Sequence, residues 1–405
     1  MEFSDRLEWP VRSNPLSLLK ADILNRGRVI LDFSESNPSR AGLTKPFWSG
    51  HSGILAEPAV LDYNPDPRGL LKSREALSTR FSGRGIAICP ENVFLGASTS
   101  EAYAWIFKLL CDPGDSILVP KPGYPLFDFL AGLEAVHVLP YRLEYTHPSG
   151  WSIDIDALKT LLERESPGRV KAIVLINPNN PTGSYVRQAE RDALLDLCSH
   201  YGLAIISDEV FFDFSLEARE ERRSFAGEER VLTFTLDGLS KLAGLPGFKL
   251  AWTAVSGPAD EVREASGRLE IIADSYLSAG TPVMNALPSL LPGTAAFVSA
   301  TKARMAENLS MLREILERPG SPHRILRCEG GWTALVQSPR LESEEGLARR
   351  LLSEEGVWIH PGYFFDMEKE AYFAASLIGI PERMAECARR YAAMFERLLQ
   401  DGQVP

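Results

Sequence analysis

Cysteine is scarce in this chain, and basic charge is outweighed by acidic. The five cysteines, Cys89, Cys111, Cys198, Cys328 and Cys387, are scattered without metal-like pairing, and their odd number suits reduced thiols in a cytosol. The six histidines are equally dispersed, so no metal is expected. Lys and Arg number 43 against 54 Asp and Glu, a net charge of −11, which argues against a nucleic-acid surface. No window reads as a membrane-spanning run, and the opening Met1-Glu2-Phe3-Ser4-Asp5-Arg6 is too polar for a signal peptide. A cytoplasmic protein with neither a nucleic-acid nor a membrane partner is expected. Internal repeats and low-complexity tracts are missing too. What remains is 405 residues, 45% apolar, ample for two lobes with sizeable cores.

Seven strands are expected, at Val93–Leu95, Ser116–Val119, Ala135–Leu139, Ala172–Ile176, Leu203–Ile206, Val231–Leu236 and Ala251–Val255. Several are continuous apolar runs, the mark of strands buried on both faces. Most alternate with helical patterns such as Arg187 to Tyr201, which predicts a mostly parallel sheet between helices, an α/β fold. Residues 1–45 read as an N-terminal arm and part of a small lobe, 46–290 as the large domain and 291–405 as a smaller α+β domain. Helices are expected from Ala295 to Leu316, Leu347 to Leu352 and Ala385 to Leu399, with a strand from Thr333 to Gln337.

Polar groups recur where these strands end, the place where such sheets bind ligands. Ala172–Ile176 leads to Asn177-Pro178-Asn179-Asn180-Pro181-Thr182-Gly183, and Leu203–Ile206 leads to Ser207-Asp208-Glu209. Val231–Leu236 leads to Gly238-Leu239-Ser240-Lys241. Alone, Lys241 reads as a solvated loop lysine. With the others it reads as an amine that loses its proton easily and attacks a carbonyl. Asn180 can donate to a phenolic oxygen, Asp208 can pair with a protonated ring nitrogen, and Lys241 can form an imine. These are the polar contacts a pyridoxal ring needs.

The order Asn-Pro-x-x-Pro-Thr-Gly, Ser-Asp-Glu-Val, then Ser240-Lys241 with Leu245-Pro246-Gly247 resembles the class I/II aminotransferases, pyridoxal-phosphate enzymes of fold type I. The likeness runs from Ser36-Asn37-Pro38 to His360-Pro361-Gly362. It implies a transaminase that shifts an amino group between an amine or amino acid and a keto acid, with Lys241 carrying pyridoxal 5'-phosphate as a Schiff base. Ser98, Thr99 and Ser100 match the phosphate cup; they also suit a plain helix cap. Tyr124 matches the aromatic that stacks on the ring, and Ser240 flanks the lysine. Tyr63 matches a tyrosine that reaches the neighbouring subunit's phosphate, which implies a homodimer with shared active sites.

Departures from the pattern are equally informative. Phe211 stands where the family has a tyrosine, and Phe cannot donate to the cofactor's phenolic oxygen. Gly238 and Lys249 replace a common serine and arginine at the phosphate, leaving a charge without a bidentate fork. The carboxylate-anchoring arginine position is Ala374. Arg40, in the loop that would fold over the substrate, is the candidate replacement or a solvated arginine. Tyr363 shapes the pocket or packs the small lobe. A lyase, decarboxylase or cyclase on the same scaffold is the alternative, and a non-catalytic sensor is the third reading.

Overall fold

The computed structural model describes residues 1, 4–7, 14–51, 53–56, 58–61, 65–217, 222–277 and 279–400. Its centre is an eight-stranded sheet. The spatial order is Val93–Gly96, Ala251–Ser256, Thr233–Gly238, Ala204–Asp208, Val170–Ile176, Ser116–Lys121, His137–Thr146 and Gly150–Ile153. Five consecutive members, from Thr233–Gly238 to His137–Thr146, pair in parallel. Ala251–Ser256 runs antiparallel to both its neighbours. The seven expected strands are present, and Gly150–Ile153 adds an eighth as a hairpin with His137–Thr146. Only four residues long, it owes its extended shape to the pairing of Leu143–Thr146 with Gly150–Ile153, which a local pattern does not reveal.

Burial explains the parallel arrangement. Ile173, Val174, Leu175, Ile205, Ile206, Phe234 and Leu236 are almost wholly shielded, so helices must cover both faces. Thr99–Leu110 and Ala259–Tyr276 pack Trp105, Ile106, Phe107 and Leu269 on one side. Ile155–Arg164 and Gln188–Tyr201 place Leu158, Leu162, Leu194 and Leu195 in another core cluster.

A second sheet orders Arg324–Ile325, Thr333–Gln337, Tyr372–Ser376 and His360–Pro361, all antiparallel. Thr294–Leu316 and Pro381–Gln400 cover it, the latter burying Met384, Cys387, Ala388, Tyr391 and Phe395 at helical spacing. The N-terminal segment joins this core through Leu16, Ile23 and Phe33, and Leu31–Asp32 pairs in parallel with Val357–Trp358.

One correction concerns apolar length. The stretch Thr281–Leu316 is long and apolar enough to cross a membrane by length and composition. It instead spans two protein cores: Met284, Leu287 and Leu290 pack in one, and Phe297, Met305 and Leu309 in the other.

Candidate active site

Five strands of the large sheet deliver side chains to one cavity of about 520 Å³. After Val93–Gly96 come Ser98, Thr99 and Ser100; after Ser116–Lys121 comes Tyr124; after Val170–Ile176 comes Asn180. Ala204–Asp208 ends on Asp208 itself, and Thr233–Gly238 runs into the short helix Leu239–Leu242, which carries Ser240 and Lys241. Phe211 and Lys249, also expected at the site, line this cavity as well. Sequence positions up to 151 apart thus meet because the parallel strands end together.

The lysine is held in an apolar surround. Its Nζ lies 4.9 Å from the Trp332 ring centre and 5.3 Å from that of Phe211, and these two rings are themselves 5.4 Å apart. Burial lowers the Lys241 pKa below the usual lysine value, with the Asp208 charge opposing. An amine so placed sheds its proton more readily than a solvated one.

Asp208 is the one carboxylate among the described lining residues. Burial pushes its pKa up to about 6, while the Val210 N–H, the Tyr103 hydroxyl and the Lys241 charge pull it back. Val210 N donates to Oδ1 at 3.2 Å and Tyr103 Oη donates to Oδ2 at 3.0 Å. The same carboxylate, after burial itself, raises the Tyr124 pKa.

The start of Thr99–Leu110 is built as a reciprocal cap. Ser98 Oγ accepts from Glu101 N at 3.2 Å, and Glu101 Oε2 accepts from Ala97 N at 2.7 Å. A Cβ on Gly96 would stand 3.0 Å from that same Oε2. The box does not use the N–H groups of Thr99 and Ser100, so the positive end of a twelve-residue helix remains available to an anion at the cavity. Lys249, held at φ 52°, adds a cation to the same lining.

A pyridoxal phosphate fits this donor set: helix terminus and Lys249 for phosphate, Asp208 for the ring nitrogen, and a deprotonation-prone amine for the aldehyde carbon.

The second sheet closes the opposite side with Trp332, Thr333, His360, Ala374 and Ser376. Ala374 is 2% exposed and lies between Leu335 and His360 across the strands. Ser376 Oγ donates to Glu35 O at 2.7 Å, and burial holds His360 below the ordinary histidine pKa. This wall therefore offers no permanent cation. Arg40 is not brought to the cavity; it is exposed, with its guanidinium 3.7 Å from Glu35. Tyr363 also lies outside the lining, in the turn Gly362–Phe365, where its N–H donates to Glu344. Tyr63 falls outside the described residues.

Tyr103, Trp332 and His360 are lining residues that motif reading did not assign to the site. For Tyr103 a signal existed: it sits four residues after Thr99, hence on the same helix face.

The model for class I and II aminotransferases matches residues 54–378. A glutamate-pyruvate aminotransferase of Haemophilus influenzae is 25% identical over 96% of each chain. An alanine aminotransferase of Mycobacterium tuberculosis is 26% identical over 92% of this chain and 85% of its own. Among solved structures, an aminotransferase from Escherichia coli superposes with a TM-score of 0.84 over 98% of each chain at 23% identity. An alanine aminotransferase from Pyrococcus furiosus gives 0.82 over 98% of this chain and all of its own, at 22% identity.

Proposed function

The chain belongs to the class I and II aminotransferase family, and from that premise we propose how its own residues carry the reaction. It is a pyridoxal-phosphate-dependent transferase that moves an amino group from an amine or amino acid donor to a keto acceptor. When bound, the cofactor supplies an aldehyde to capture the amine and an electron-withdrawing ring to stabilise negative charge at the donor carbon. Lys241 Nζ would hold the cofactor and, when free, would take up and return a proton at the donor carbon. Asp208 would pair with the ring nitrogen and hold a proton there. Ser98, Thr99, Ser100, Ser240 and Lys249 would hold the phosphate, Tyr124 would pack against the ring, and Asn180 would donate to the phenolic oxygen. Phe211 gives that oxygen no second donor. Trp332 and Phe211 keep water from the lysine amine.

The observation that carries this reading is Lys241, buried beside two rings with its pKa lowered, facing the same cavity as Asp208. A homodimer with shared active sites belongs to the same proposal, supported by the match at Tyr63. So does the division into lobes near residues 45 and 290, supported by separate apolar clusters. A cytoplasmic setting is supported by the five free cysteines.

The test is spectral. An amine donor should bleach the long-wavelength band of the purified holoprotein, and a keto acid should restore it. Product release without a stored amino group would refute transamination.

A further inference from the structure

We propose that Tyr103 is a positioning residue of this site: its hydroxyl fixes the Asp208 carboxylate toward the cavity and favours its charged form. The inference rests on the reading of Asp208 as partner of the cofactor's ring nitrogen.

The geometry is specific. Tyr103 lies one turn into Thr99–Leu110, the helix whose start lines the phosphate end of the cavity. Its ring is 3% exposed and is held edge-on by Phe127 at 5.2 Å and at a tilt by Phe107 at 5.9 Å. A tyrosine so fixed has little freedom to turn its hydroxyl away, and that hydroxyl donates to Asp208 Oδ2 at 3.0 Å. The remaining groups acting on Asp208 are the Val210 N–H, the Lys241 amine and the Tyr124 phenol. Lys241 is the one cation of the three, and attachment of the cofactor would consume its free amine. Tyr103 is the donor from outside the Asp208 loop that persists through that change. It also ties the phosphate-binding helix to the ring-binding carboxylate, so that one rigid element sets both ends of the ligand. Burial raises the Asp208 pKa to about 6, close enough to neutrality for one lost donor to matter.

Tyr103→Phe keeps the ring and deletes the donor. The measurement is equilibrium affinity for pyridoxal phosphate and for its analogue with carbon in place of the ring nitrogen, on apoprotein, across pH 5.5 to 8.5. The variant should bind pyridoxal phosphate roughly tenfold more weakly near pH 6.5, the scale of a hydrogen bond to a charged group. The acid limb of binding should move to higher pH, and the analogue should bind as it does to the wild type. Equal weakening for both ligands, or no weakening of either, would overturn the proposal. Asp208→Asn separates the two readings. If that variant does not reduce the preference for pyridoxal phosphate over the analogue, the ring-partner role of Asp208 fails. If it does while Tyr103→Phe does not, Tyr103 alone is misassigned.

Discussion

At the scale of single residues, Lys241 and Arg40 lead to opposite expectations. Lys241→Ala removes the amine, so reduction of the holoprotein with borohydride should no longer label the chain, and turnover should vanish. Labelling of a different lysine in the wild type would show the assignment to be wrong. Arg40 is the sequence's candidate for gripping a carboxylate, yet it stands exposed beside Glu35. If substrate draws it inward, Arg40→Ala should raise KM by the factor corresponding to about 2–4 kcal/mol while leaving the cofactor band unchanged. Unchanged KM values for carboxylate-bearing donors would leave Arg40 a surface residue. The contrast marks what residues disclose by themselves. Asn180, Asp208 and Lys241 were legible because each follows a buried strand, and strand ends converge. Tyr103 was legible only as sharing a helix face with Thr99; its bond to Asp208 was not, since a tyrosine inside an apolar helix reads as core and its partner lies 105 positions away. The vacancy at Ala374 was legible as a missing arginine. That the surrounding wall is uncharged emerges only when His360 and Ser376 are seen beside it.

At the scale of elements, the loop after Lys241 is the most tightly specified piece of the site. Thr44 Oγ donates to Gly244 O at 2.9 Å, and Trp48 Nε1 donates to Ala243 O at 2.7 Å. Gly244 holds φ +63°, and an added Cβ would collide with the Phe297 ring. Gly244→Ala should therefore cost about 3 kcal/mol, combining left-handed strain with overpacking. The denaturant midpoint of the apoprotein measures it; an unchanged midpoint would mean that the loop relaxes freely. Sequence patterns located most elements well, because buried parallel strands and amphipathic helices advertise themselves. Their ends were less legible: the strand expected at Ala135–Leu139 runs from His137 to Thr146. Its extension is stabilised by pairing with Gly150–Ile153, a contact made in space before it can be read in the chain.

At the scale of the whole molecule, the cavity is lined from both sheets, and residues of both, such as Leu175 and Leu335, share one apolar cluster. A ligand touching both should stabilise the folded state by mass action. Pyridoxal phosphate at one hundred times its dissociation constant should add about 2.7 kcal/mol at 25 °C and raise Tm. Lys241→Ala should give a smaller rise at equal concentration, and thermal melts of both apoproteins with added cofactor make the comparison. The α/β class was readable from alternation of strand and helix, whereas the course of Thr281–Leu316 through both cores was not, because apolar length looks the same in a membrane and in a protein interior. The meeting of the two sheets at the cavity also gives the protein an optical gauge. Trp332 belongs to the smaller sheet's core, yet its indole sits 4.9 Å from an amine carried by the larger sheet. Indole emission overlaps the absorption of a bound pyridoxal, so energy passing from Trp332 to that chromophore will dim the ultraviolet fluorescence when the cofactor is in place. Loading of the cofactor can then be timed without attaching any dye.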